Sequence, residues 1–259
     1  MTFSALPDVL ERSTAVFIFA LGIGLVAMHT VLVTLAAQQA AIERRRRVLI
    51  PGLVGAFLAV WLGLAITIGD RATVPLASEG LRPLISLLVG FGPMVFGIAL
   101  LFTSRTLHAV IAAMPTSWLI RAQTYRMAGV MFLFPFWYYG MVPAGFAIPA
   151  GVGDLLTGAL APVVALAVAR RRRHAIAWAV AWNVFGLLDL IVAPTAAVLS
   201  QAGVLELYPL SLVPLFIGPP LGILTHVYSF RNLAVHARQH REVHQEGVSL
   251  GLTAEGHLH

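Results

Sequence analysis

Seven long apolar runs decide what this chain can fold into. They lie near 14–37, 48–69, 83–104, 126–147, 149–169, 175–199 and 209–230. Each is close to the roughly 20 residues a helix needs to cross a hydrocarbon core about 30 Å thick. The runs hold most of the chain, so 59% of its residues are apolar and 11% charged, against roughly 45–50% and 25% in soluble domains. The expected fold is all-α: an integral membrane bundle of seven helices over 1–231, followed by a histidine-rich tail over 232–259. Ahead of the first run, Met1–Ser13 carries Asp8, Glu11 and Arg12 instead of a basic cluster. That run is also too long for a signal-peptide core, so it reads as a retained span.

All 17 basic residues are arginine, and the chain has neither lysine nor cysteine. A retinal or pyridoxal Schiff base needs the first, and a thiolate nucleophile, iron–sulfur cluster or disulfide needs the second. Both groups of chemistry are therefore excluded. Arginine used without lysine points to a GC-rich bacterial genome, which makes the cytoplasmic (inner) membrane the expected address. Most of the +6 charge lies beside apolar spans, so nucleic acid is not an expected partner. Arg44–Arg47 and Arg170–Arg173 mark cytoplasmic loops, giving an N-terminus outside and a C-terminus inside. Anionic lipid is their expected partner, at about 1 kcal/mol per arginine near the surface. Leu107–Ile120 has the character of a short interfacial helix.

The two tetra-arginine runs are 126 residues apart. The same shift sets Pro83-Leu84 on Pro209-Leu210, Gly92-Pro93 on Gly218-Pro219 and Arg105 on Arg231, with 14 identities among the 62 pairs from 44–105 to 170–231. Two readings stand. One is a duplication, with parallel repeats 14–105 and 141–231 around a linker span 126–147. The other is that topology alone supplies arginines at inner ends and prolines at span starts. The 3+1+3 layout resembles the topology of the sugar-exporting SWEET transporters and, more distantly, the opsins. Neither a proline–glutamine signature nor the opsin lysine is present, so the resemblance transfers no binding residues. Oligomer contacts through Gly22, Gly24, Gly90 and Gly92 are a further option.

Polar side chains at membrane depth are functional candidates by default. At about 1.5 Å per residue from the arginine loops, His226 falls in the inner third, Asn183 and His29 near the middle, and Asp154 and Asp189 in the outer half. Asp189, flanked by Leu187, Leu188, Leu190 and Ile191, is the leading candidate for proton exchange. Asn183 lies about 120° from it on the helical wheel, which argues against a shared narrow face. Arg126 opens the aromatic fourth run, whose Tyr138 either walls a cavity or belongs to an interfacial belt. Asp154 reads as a cap at the start of the fifth span.

Gly151-Val152-Gly153-Asp154 resembles the GxGD signature of intramembrane aspartyl proteases, including prepilin peptidases. That resemblance implies a hydrolase with Asp154 and Asp189 as its catalytic pair. The order of the aspartates is reversed, and the companion Pro-Ala-Leu motif is missing. A tight hairpin between spans four and five explains the glycines equally well.

Pro209, Pro214, Pro219 and Pro220 should break the seventh span near Gly218, with Gly92-Pro93 interrupting the third at the same register. Broken spans of this kind expose backbone groups at transporter sites. A carrier or channel for a small solute or ion, with Asp189 and His29 coupling protons, is the leading functional expectation. No cofactor is called for, although haem or a metal on His29, His226 and His108 is an alternative, as is a non-catalytic receptor or assembly factor. In the tail, His236, His240 and His244 follow i, i+4, i+8 spacing, and a solvated basic segment is the expectation there.

Overall fold

The computed structural model describes residues 8–70 and 81–235. The loop through Arg71 and the histidine ladder His236, His240 and His244 lie outside the described residues. Among the described residues eight helices run in order: α1 Asp8–Gln39, α2 Arg44–Gly69, α3 Arg82–Thr103, α4 Arg105–Ala113, α5 Thr116–Ala122, α6 Ala144–Ala169, α7 Ala175–Leu199 and α8 Val213–Val235, the last opening with a π turn. The described residues contain no strand. Among the described residues six helices (α1, α2, α3, α6, α7 and α8) are long and apolar enough to cross a membrane. Their outward faces carry Ile23, Val60, Leu87 and Val163, each more than half exposed. A surface so apolar is stable against lipid and costly against water.

The fourth apolar run is not one helix. Gln123–Gly129 is a 3₁₀ segment and Phe132–Trp137 a π-helical one, interrupted at Phe134 (φ −151°, ψ 119°), and Gly140 turns the chain at φ +69°. The breaks follow from the residues, since glycine tolerates positive φ and Pro135 brings no N–H to a helical ladder. The run also begins earlier than hydropathy indicates. Ile120 packs with Ala161, Val164 and Ala165 near the far end of α6, and Gly151 of α6 abuts Leu133. Phe132 meets Phe146 edge-on at 5.1 Å near its start. Thr116–Trp137 therefore runs antiparallel along α6, between three long helices before it and three after.

At the arginine-loop end, Val33, Ala36, Leu101, Val110, Ile111 and Met114 form one apolar cluster. The expected interfacial helix is two helices, α4 and α5, divided at Met114-Pro115. Asn232 is fully buried there and donates to the carbonyls of Ile111 and Met114, both at 2.8 Å. The last helix consequently continues past Arg231, where the tail was expected to begin.

The expected break in the seventh span is present. Val213–Ile217 forms a π turn, closed by Gly218 N–H donating to the Val213 carbonyl at 2.8 Å, and Gly218 itself is non-helical. In α3, by contrast, Pro93 leaves the helix continuous. Its effect is subtler: it removes the N–H that would pair with the Val89 carbonyl. Pro219 does the same to Leu215. The indole N–H of Trp61 reaches both orphaned carbonyls, Val89 at 2.7 Å and Leu215 at 3.1 Å. Close approach is allowed because Gly90 has no Cβ to meet the Pro214 carbonyl. Gly22 faces Leu62 within the chain, whereas Gly24 and Gly92 have open space beside them.

Candidate functional site

Arg126 is the centre of the polar interior. It is carried by the 3₁₀ segment, is 2% exposed, and sends its guanidinium between α6, α7 and α8. Nε donates to Asp154 Oδ1 of α6 at 2.6 Å, and Nη2 to Asp189 Oδ2 of α7. Nη1 donates to the Gly186 carbonyl at 3.1 Å and contacts His226 Nε2 of α8 at 3.2 Å. A buried guanidinium held by two carboxylates has its charge compensated and its planar donors matched.

The hydrogen bonds also fix the histidine tautomer. Asn183 Nδ2 donates to the Ala179 carbonyl at 2.8 Å, so its Oδ1 faces His226 Nδ1 as an acceptor at 2.9 Å. Nδ1 must then carry the proton, and Nε2 presents its lone pair to the guanidinium. The Trp182 ring lies tilted at 45° to the imidazole, 5.1 Å between centroids, and its N–H donates to the Thr157 carbonyl at 3.0 Å. The Thr157 hydroxyl and Gln123 Oε1 are buried with no hydrogen-bond partner among the described residues.

Glycines make this convergence sterically feasible. A Cβ on Gly153 would fall on the Asp189 carboxylate, and one on Gly129 would fall on Asp154. At Gly186 it would lie 2.7 Å from His226 Nε2, and at Gly158 2.9 Å from the Arg126 carbonyl carbon. Beside the cluster a cavity of about 30 Å³ is bounded by Arg126, Asp154, Tyr125, Phe136, Ile217 and Gly218. That is room for a water molecule. Tyr125 closes it by donating to the Ile217 carbonyl at 2.9 Å, and Gln123 donates to the Gly222 carbonyl at 3.1 Å.

Several expectations change. Asp154 is no helix cap: it lies ten residues inside α6, and Pro143 occupies the capping position. Gly151 and Gly153 belong to the same helix and serve close packing, not a hairpin. Asn183 and Asp189 do join one site despite their angular separation, because His226 and Arg126 bridge the turn between them. His29 stands apart, bonded to the Leu25 carbonyl at 2.8 Å and to Thr225 Oγ1 at 3.4 Å. His108 lies against Arg231 at the arginine-loop end, and Tyr138 is 73% exposed in a ring cluster with Phe134 and Tyr139. Sequence reasoning named neither Thr157 nor Gln123, and their only signal was their spacing from Asp154 and Arg126. No group of three histidine, cysteine, aspartate or glutamate side chains suited to a metal occurs among the described residues.

Fold and site together define a multi-pass helical membrane protein with a buried ionic cluster. The chain belongs to the family described as a domain of unknown function, DUF8737, whose model matches residues 82–234. The match takes in Arg126, Asp154, Asn183, Asp189 and His226, and leaves α1 and α2 outside. No curated protein and no solved structure matches the chain.

Proposed function

We propose that this protein is a carrier or channel for a small solute or ion in the bacterial cytoplasmic membrane, working through the Arg126 cluster. The observation that carries the reading is an ion pair shared by three packed elements beside the break in α8. Charged groups at such depth are costly to bury and are retained at substrate and ion pathways. The interrupted backbone at Val213–Gly218 lines the adjacent cavity, as transporter sites require. The catalytic alternative is less well supported, because the guanidinium fills the space between Asp154 and Asp189 that a shared attacking water would need. The test is solute and ion flux into proteoliposomes. Asp189→Asn should reduce flux at least tenfold, and unchanged flux across the pH range would remove Asp189 from the pathway.

The same reading takes Thr116–Trp137 as a seventh crossing, supported by its packing along the length of α6. The N-terminus is then outside, and Arg44–Arg47 and Arg170–Arg173 meet anionic lipid on the inside. The parallel 3+1+3 repeat gains support from Val89 and Leu215, which are equivalent in the 126-residue register and share Trp61. Single cysteines can be introduced freely into this cysteine-free chain. Arg171→Cys and Ser200→Cys should be labelled from opposite sides of the membrane; labelling from the same side would overturn the topology.

A further inference from the structure

We propose that the Arg126 cluster is a one-proton site, in which Asp154 and Asp189 share a single exchangeable proton. Calling that proton the coupling ion rests on the carrier reading.

The argument begins with charge. Arg126 contributes one positive charge, Asp154 and Asp189 two negative ones, and His226 none, since its Nε2 lone pair faces the guanidinium. Ionised throughout, the cluster carries one uncompensated negative charge inside an apolar bundle, where an unbalanced charge is strongly disfavoured. Among the described residues, the surrounding elements bring no further cation into hydrogen-bond or ion-pair contact with the two carboxylates. On the cavity side, α1 presents Phe17, Ile18 and Leu21, and the π turn presents Val213 and Ile217. Tyr125 is engaged with the Ile217 carbonyl, and His29 is turned to Leu25 and Thr225.

Donor counting is consistent with this charge argument. The guanidinium spends its bonds on one oxygen of each aspartate, the Gly186 carbonyl and His226. Asp154 Oδ2 and Asp189 Oδ1 then have no hydrogen-bond donor among the described residues. Both lie in the spaces left by Gly129 and Gly153, the first 3.1 Å from where a Gly129 Cβ would sit. A proton on either carboxyl supplies the missing positive charge and one of the missing donors together. An alkali cation is a poorer fit, since hard cations take about six oxygen ligands. The cavity beside Asp154 is lined largely by aromatic and aliphatic side chains.

Sharing makes the site all-or-none. Replacing either aspartate with asparagine leaves one carboxylate paired with one guanidinium, a neutral cluster with no reason to bind a proton. The experiment is an infrared titration of the full-length protein in lipid, following the deuterium-sensitive carbonyl stretch of a protonated carboxyl. The expected result is one such carboxyl per chain, absent from both Asp154→Asn and Asp189→Asn and retained in Asp189→Glu. The wild-type titration decides the matter even if a variant fails to fold: absence of the band at every pH overturns the proposal. A band that each asparagine variant merely halves would indicate two independent carboxyls and would also overturn it. Sodium-dependent thermal stabilisation without the band would assign the compensating charge to sodium and reject the proton. Flux measured alongside separates the two readings, because a titrating band without transport leaves the proton site standing and removes the carrier.

Discussion

The carbonyls of Val89 and Leu215, 126 residues apart, accept from the same indole N–H. Each has lost its helical partner to a proline four residues later, so Trp61 satisfies two orphaned carbonyls with one donor. Trp61 is 1% exposed and also meets Phe216 edge-on at 5.1 Å. Trp61→Phe would keep much of the packing and remove the donor, leaving two buried carbonyls unsatisfied at about 1–3 kcal/mol each. The expected outcome is a clear fall in the thermal midpoint in detergent, larger than for Phe57→Leu nearby.

Arg126 compensates two carboxylates, so its loss should be felt more than theirs. Arg126→Gln leaves Asp154 and Asp189 facing each other without a cation, at about 3–5 kcal/mol for a broken buried pair. Adding Asp154→Asn and Asp189→Asn in the same chain should recover a large part of that loss. Denaturant or thermal unfolding of the single and triple variants checks the order, and a triple variant weaker than the single one would contradict the ionic account.

The glycines divide by what a methyl group would meet. Gly153→Ala and Gly186→Ala push into Asp189 and His226, so both should abolish flux and disturb the carboxyl band. Gly52→Ala and Gly63→Ala point into open space and should leave both readouts unchanged, with stability equal or slightly raised by the better helix former.

One pH effect belongs to the arginine-loop end, outside the spans. Burial, and secondarily the Arg231 guanidinium, holds His108 below its ordinary value of 6.5. A base whose pKa is lower when folded is neutral in the native state and takes up protons on unfolding. Its contribution is therefore intact above 6.5 and is lost progressively as pH falls through that value. The docking of α4 on α8 should loosen on mild acidification, seen as faster amide exchange in Arg105–Ala113. His108→Phe should flatten that dependence.

Six of the seven apolar runs were legible to within a few residues, because length and hydropathy set them directly. The fourth was not, since hydropathy registers apolar content and is blind to the mixture of helical pitches that Gly129, Pro135 and Gly140 impose. The site was legible in its members and not in its assembly. Asp154, Asn183, Asp189, His226 and Arg126 each stood out as polar residues in apolar runs. Depth counted along separate straight helices then spread them through the membrane. What that count omits is the reach of an arginine side chain, and the clearance that Gly153 and Gly186 give to groups on neighbouring helices.

The segment carrying Arg126 has a mechanical consequence. An α-helix resists bending because every turn is clamped to the next, whereas Gln123–Trp137 changes pitch twice and is fastened from outside, by Tyr125 and Gln123 gripping the backbone of α8. It is the compliant member among stiff rods. Any displacement of the guanidinium would be taken up first as torsion of this segment.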